Sequence, residues 1–171
     1  MILICLYPRF IIISIINNFI SYIKIKIEIK RIKTLNKFCS DNIKIIKKFR
    51  KMKNPKVSLI SPIYNREGFL TRFLKNIQHQ NFDDIEIIFV DDKSTDAGVK
   101  ILEKYQKLDK RIKIIKHKKN KGTFISRNIG VLYSNAKYII LPDPDDIISK
   151  DIIRTCLYYA EKYNYEIKLH Y

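Results

Sequence analysis

From Val57 onward the chain repeats one pattern, a short run of Ile, Val and Phe followed by a longer stretch whose apolar residues recur three and four apart. The runs are VSLISPI (57–63), IEIIFV (85–90), RIKIIK (111–116) and KYIIL (137–141). Between them lie REGFLTRFLKNIQHQ, with Phe69, Leu70, Phe73, Leu74 and Ile77 on one helical face, then DAGVKILEKYQKL and TFISRNIGVLYSNA. A further helix is expected near 149–163. The near-continuous apolar content of the runs marks strands buried on both faces. Strands alternating with helices at this spacing predict β-α-β crossovers and a mainly parallel sheet covered by helices on both faces, an α/β architecture.

In such a sheet ligands bind beyond the carboxyl ends of the strands, and the polar clusters fall there: SPIYN, DDKSTD, HKKNKG and PDPDD, one after each strand. Asp91 and Asp92 close the second strand, where a carboxylate can accept from ribose hydroxyls or a base N–H. Ser94, Thr95 and Asp96 would cap the following helix. Pro142 and Pro144 restrict the PDPDD backbone to an extended turn. Alternate residues then point the same way, so Asp143 and Asp145 face one ligand and Asp146 turns aside. Hard divalent cations take oxygen ligands of this kind, which suits Mg²⁺ or Mn²⁺ shared with ligand phosphates. Lys121, Gly122 and Arg127 lie where helix amides and cationic side chains suit a diphosphate; for Arg127 alone, a surface charge or a carboxylate partner is the simpler reading. His79, His117 and His170 have no ligand spacing and no assigned role.

The formal net charge of +17 is unevenly spread. Residues 1–56 carry 14 Lys/Arg and 2 Asp/Glu, and residues 57–171 carry 20 and 15. Phosphate neutralisation by such a chain would suit nucleic acid, yet no zinc-finger spacing or RNP-like aromatic block is present, so nucleic-acid binding is not the expected role. Cys5, Cys39 and Cys156 are odd in number and far apart, which argues against a disulfide framework or a zinc site. Residues 1–55 form an apolar and then basic leader. Its first 23 residues, MILICLYPRFIIISIINNFISYI, are broken by Pro8, Arg9, Asn17 and Asn18. Two readings stand: a weak signal anchor that keeps the downstream domain cytoplasmic by its following lysines, or a disordered arm or misassigned start, which leaves a soluble cytoplasmic protein. Residues 24–56 alternate Lys and Ile, as a strand would, and then pass into a basic stretch. That stretch suits an amphipathic helix on an anionic membrane or a solvated linker.

The segments VSLISPIYNREGFLTRFLKNIQHQNFDDIEIIFVDDKSTD, NKGTFISRNIG and YIILPDPDDII together resemble the nucleotide-sugar-binding half of a family 2 glycosyltransferase with the GT-A fold, over roughly residues 56–155. The resemblance implies a domain at 56–171 that transfers a sugar, with inversion, from a UDP- or GDP-linked donor to a sugar, lipid or protein acceptor, with Mn²⁺ or Mg²⁺ on the diphosphate. It places Pro62, Tyr64 and Asn65 in the first-strand motif, with Tyr64 and Glu67 near the base. It puts Asp92, with Asp91 behind it, on the base or ribose, and sets Lys121, Gly122, Arg127 and Asn128 along the phosphates and sugar. Asp143 and Asp145 match the D-x-D signature, the first near the ribose or sugar and the second on the metal. Family members continue well past the D-x-D into acceptor-binding elements and a general base, whereas 25 residues remain after Asp146 here. The resemblance therefore implies a C-terminally truncated fold, and a donor-binding module without turnover is the alternative. Asp151 and Glu161 are the acidic residues nearest in sequence that would serve as base. A receiver-like signalling domain would need its acidic pair after the first strand, where this chain has SPIYN.

Overall fold

The computed structural model describes residues 2–4, 43–46 and 55–162. Six strands make one sheet: β1 (Ile2–Ile4), β2 (Ile43–Ile46), β3 (Val57–Ile63), β4 (Ile85–Asp91), β5 (Ile112–His117) and β6 (Tyr138–Ile140), in the order β1-β6-β3-β4-β5-β2. Among the described residues, four helices, α1 (Glu67–Gln78), α2 (Gly98–Leu108), α3 (Thr123–Leu132) and α4 (Ile152–Lys162), connect or follow the last four strands. The inner strands β6, β3, β4 and β5 run parallel, as the alternation predicts. At the edges β1 joins β6 in parallel and β2 joins β5 antiparallel. Ile43–Ile46 falls where a basic helix was one expectation, and it is a strand instead. Its β-branched residues suit an extended edge, and pairing satisfies the outer backbone groups of β5. The remaining positions proposed as a membrane anchor lie outside the described residues, and no described helix is long and apolar enough to cross a membrane.

Every residue of β3 and β4 is buried, so both faces of the sheet are covered. On one face Leu59, Ile63, Ile87 and Phe89 pack against Leu70, Phe73, Leu74 and Ile77 of α1, Leu102 of α2, and Ile153 and Leu157 of α4. On the other, Ile60, Ile88, Val90, Ile115 and Ile139 meet Ile129 and Val131 of α3. Phe69, expected in the α1 stripe, is 39% exposed, with the Arg66 and Arg72 guanidiniums 6.0 and 5.7 Å from its ring centroid. Leu70, Phe73, Leu74 and Ile77 already complete the i, i+3, i+4, i+7 face, and Phe69 falls at its margin.

α3 approaches the sheet closely because Gly130 has no side chain. A Cβ there would lie 2.2 Å from Ile60 Cγ2 and 3.4 Å from Val90 Cγ2. Ile60 is β-branched and enclosed, so it has little freedom to turn away.

A polar cluster is buried at the opposite end of the same sheet face. Ser58, Glu86 and Lys113, each the second residue of its strand, form a continuous group: Ser58 Oγ donates to Glu86 Oε1 (2.6 Å) and Lys113 Nζ to Glu86 Oε2 (2.5 Å). The Asn135 amide also donates to Glu86, and Ser134 Oγ lies 2.8 Å from Ser58 Oγ. Burial alone would raise the Glu86 carboxyl, but the Asn135 amide, Lys113 and Ser58 outweigh it and hold the group below its ordinary value.

Two outcomes follow for urea unfolding. Gly130→Ala should destabilise by about 1–3 kcal/mol through overpacking, and the same change should cost much less when made in an Ile60→Ala chain, itself destabilised by about 2–5 kcal/mol. Lys113→Met should cost about 3–5 kcal/mol by leaving Glu86 charged and unpaired, while the double change with Glu86→Met should recover most of it. A Lys113→Met protein as stable as the parent would show that the ion pair is not what stabilises this end of the sheet.

Candidate functional site

Because β3 and β4 pair in register from Val57 opposite Ile85 to Ile63 opposite Asp91, both end at one level and their loops meet. Asn65, in the left-handed region at φ +51°, donates its amide to Ser94 Oγ (3.0 Å) and accepts from the Thr95 amide (2.9 Å) through Oδ1. Next to it the two helix starts cap each other: the Glu67 amide donates to Asp96 Oδ2 (2.8 Å) and the Ala97 amide to Glu67 Oε2 (3.0 Å). Asn65, expected in the first-strand motif, and Glu67, expected near a donor base, therefore lock these two loops together. Pro62 is buried within β3, and Tyr64 is 49% exposed at the rim.

The two carboxylates at the end of β4 make different contacts. Asp92, expected to meet the nucleotide with Asp91 behind it, accepts the Lys121 amide on Oδ1 and the Gly122 amide on Oδ2, both at 2.7 Å. Those two amides, expected to face a diphosphate, are thus occupied by a carboxylate of the chain itself. The clamp sets the start of α3, where Gly122 takes φ +86°, a conformation that favours glycine. Asp91 accepts the Ser94 amide on Oδ1 (3.1 Å), and its Oδ2 is buried with no hydrogen-bond partner. Sequence reasoning gave His117 no role, because no ligand spacing marked it. It ends β5 with Nδ1 3.5 Å from Asp92 Oδ1, and its Nε2 is buried and unpartnered.

The D-x-D loop is held from two helices. Arg127 of α3 donates through one terminal nitrogen to both oxygens of Asp143, at 2.7 and 2.9 Å, which realises the carboxylate partnership open to it in the sequence. Arg72 of α1 donates to the Asp145 carbonyl (3.0 Å). Asp146 turns back to accept the Asp143 amide (2.9 Å). The Asp145 carboxylate is exposed and accepts no hydrogen bond among the described residues. Asn128, beside Arg127 on α3, is partly buried. No group of three or more His, Cys, Asp or Glu that could hold a metal occurs among the described residues. A divalent ion here would rest on Asp145, with Asp143 beyond its Arg127 partner, and draw its other oxygens from a phosphate ligand and water. Mg²⁺ sites are commonly built that way.

Both proposed bases have partners within the chain. Asp151 accepts from Asn81 Nδ2 (2.8 Å) and Arg154 (3.0 Å), and Glu161 lies 3.6 Å from Lys56, next to the amino end of β3 and so away from the rim. Cys156 is buried, and burial pushes its thiol up to about 11, consistent with a packing role.

Burial pushes the His117 imidazole below its ordinary value of 6.5, against the opposing pull of Asp92 and Asp91 and with a small further push from Lys121. A histidine whose folded value is depressed binds its proton first in the unfolded chain. Stability should therefore be full above pH 6.5, fall as the pH drops below it, and level off below the folded value. Urea midpoints measured across that window should flatten in His117→Gln relative to the parent. An unchanged slope would assign the acid sensitivity elsewhere.

A family model described as "Glycosyl transferase family 2" matches residues 58–169. An uncharacterised glycosyltransferase of Haemophilus influenzae is 41% identical over 108 residues, covering 63% of this chain and 33% of that protein. The glycosyltransferase GlyG of Streptococcus pneumoniae is 35% identical over 100 residues, covering 58% and 33%. The chain thus spans about a third of the length of these curated relatives. Among solved structures, S. aureus TarS in complex with UDP-GlcNAc superposes with a TM-score of 0.58 at 29% identity, over 64% of this chain and 32% of that one. The mannosyltransferase PcManGT of Pyrobaculum calidifontis, in complex with GDP-Man and Mn²⁺, gives 0.59 at 17% identity over 79% and 39%, a likeness of fold. The parallel sheet, the four rim loops in their order and the family match over most of the described residues agree, and the chain belongs to glycosyltransferase family 2, with the GT-A fold.

Proposed function

We propose that this chain holds a nucleoside-diphosphate sugar, UDP- or GDP-linked, at the carboxyl rim of its sheet and serves transfer of that sugar with inversion. The observation that carries the reading is the D-x-D loop, pinned by Arg127 and Arg72 so that the Asp145 carboxylate stays exposed at the same rim as the buried, half-satisfied Asp91. Asp91 Oδ2 has an unused acceptor for a ribose hydroxyl or a base N–H. The UDP-GlcNAc complex of TarS, at 29% identity, supports a UDP-linked donor.

A divalent ion, Mn²⁺ or Mg²⁺, bound at Asp145 would neutralise charge on the diphosphate leaving group. The chain's own residues supply the frame. Asp92 fixes the loop at Lys121 and Gly122, and Arg127 orients Asp143 while adding positive charge close to the phosphates. In the transfer the bond between the anomeric carbon and the β-phosphate oxygen breaks, and its electron pair leaves on the nucleoside diphosphate. The acceptor hydroxyl bonds that carbon from the opposite face, and its proton passes to a base. A second reading, donor binding without turnover, is favoured by the engagement of Asp151 and Glu161 elsewhere.

Calorimetric titration with UDP and with GDP, with and without Mn²⁺, tests the site. Mn²⁺ should strengthen binding of one of them in the parent protein, and Asp145→Ala should weaken the metal-dependent component by roughly 10- to 100-fold or more, the range seen even for outer-shell partners of a metal. Tight binding that ignores both the ion and the substitution would rule out the cation site. Release of the free sugar from UDP- or GDP-sugars under the same conditions separates turnover from binding alone.

A further inference from the structure

We infer that the β5–α3 loop and the first turn of α3, residues 116–125, form a docking surface for an anionic lipid bilayer. This surface shares Lys121 and Gly122 with the proposed donor site and extends beyond it to Lys118, Lys119, Phe124 and Ile125, while the Lys121 and Gly122 amides are held by Asp92. Residues 110–142 contain nine Lys or Arg and no Asp or Glu. Four of the nine, Lys116, Lys118, Lys119 and Lys121, fall in the six positions KHKKNK. Lys118 and Lys119 are exposed, and Lys116 and Lys121 partly so. Directly after them Phe124 is 67% exposed and Ile125 41%, while Ser126, Ile129 and Gly130 turn inward to the sheet. β2 pairs along the same edge, with Lys44 at the register position opposite Lys116.

Basic residues beside outward-facing apolar ones are the composition that binds at a bilayer interface, the lysines to anionic head groups and the apolar side chains to the acyl boundary. A polynucleotide would use the lysines but leave Ile125 without an apolar partner, so the lipid surface fits both halves of the patch. The Asp92 clamp fixes the loop two residues before Phe124, which is exposed. The patch adjoins the rim, so docking there would set the proposed sugar site close to the membrane plane.

The chain has no tryptophan, so Phe124→Trp installs a single local fluorescent reporter in the 171-residue chain. Leu108→Trp, at a position 73% exposed at the far end of α2, provides the matching control. Vesicles of phosphatidylcholine with phosphatidylserine should shift the indole emission of the Phe124→Trp protein to the blue and bring it within reach of brominated acyl chains, leaving that of the Leu108→Trp protein unchanged. Pure phosphatidylcholine vesicles or high salt should abolish the shift. Lys118→Gln with Lys119→Gln should weaken the Phe124→Trp response on the order of tenfold or more, at about fivefold for each charge. Four results would overturn the inference. Vesicle sedimentation with the Phe124→Trp emission unshifted would assign binding to the leader, and a response to single-stranded DNA but not to vesicles would assign the patch to a polynucleotide. An indole already shielded without lipid would assign the face to the chain itself or a second copy, and an absence of vesicle binding would leave the patch without its occupant. Ile125→Trp repeats the measurement should the change at Phe124 disturb the first turn of α3.

Discussion

The seven-residue parallel pairing of β3 with β4 sets the position of almost everything else. All fourteen residues are buried, so a slip of one position would reverse the faces of Leu59 and Ile60, or of Phe89 and Val90, against two differently shaped cores. The register also makes Ile63 and Asp91 end side by side. The two loops that follow have nowhere to diverge, and their polar residues are spent on each other: Asn65 on Ser94 and Thr95, Glu67 on Ala97, and Asp96 on Glu67. Thus the rigidity of the rim comes from the registration of the sheet, transmitted by a few side-chain-to-backbone hydrogen bonds.

The strands and helices were legible because burial on both faces leaves no polar alternation to confuse the pattern, and the helices repeat at an unambiguous period. What the sequence hid were pairings between residues far apart in the chain. Glu86 and Lys113 look like ordinary polar interruptions in their strands, and only the β4–β5 register reveals them as one ion pair. The rim motifs follow the strand ends as expected, yet the sequence did not show that Asp92 would hold the Lys121 and Gly122 amides while Asp91 keeps one oxygen unpartnered. Successive residues at a strand end face opposite sides of the sheet: Asp91 lies on the side of α1 and α2, and Asp92 on the side where α3 begins. Periodicity says that they diverge but not which side carries a ligand. His117 was invisible for the same reason, since a lone histidine acquires meaning only when β5 sets it beside Asp92.

The distribution of charge follows a related logic. In a chain with net charge +17, a carboxylate at the rim will attract a cationic side chain of the protein unless geometry prevents it. Asp143 has been taken in this way by Arg127, with partial exposure on both sides, so the pair remains open to exchange with an ion or a phosphate. Asp92 is protected differently, by backbone amides that cannot leave. Asp145 escapes because Arg72 binds its carbonyl rather than its carboxylate. One D-x-D loop therefore presents a carboxylate already neutralised and another left available, a combination that suits an incoming cation and dianionic phosphate better than two bare charges would.

The two ends of the sheet differ in how fully they satisfy their buried polar atoms. At the amino ends of the strands, both oxygens of Glu86 have donors and Ser58 meets Glu86 and Ser134. At the carboxyl ends, Asp91 Oδ2, His117 Nε2 and Arg127 Nε are buried and unpartnered, with Ser61 Oγ two residues before the end of β3; Gln80 Oε1, below α1, is the exception to the pattern. Each such atom costs about 1–3 kcal/mol when left without a partner, and natural interiors hold few of them. Their concentration where three strands end is therefore a local sacrifice of stability, and a ligand rich in hydroxyl and phosphate oxygens could offset much of it on binding. The end that pairs its own groups keeps the domain folded, and the end that leaves them open is the one that can recognise something else.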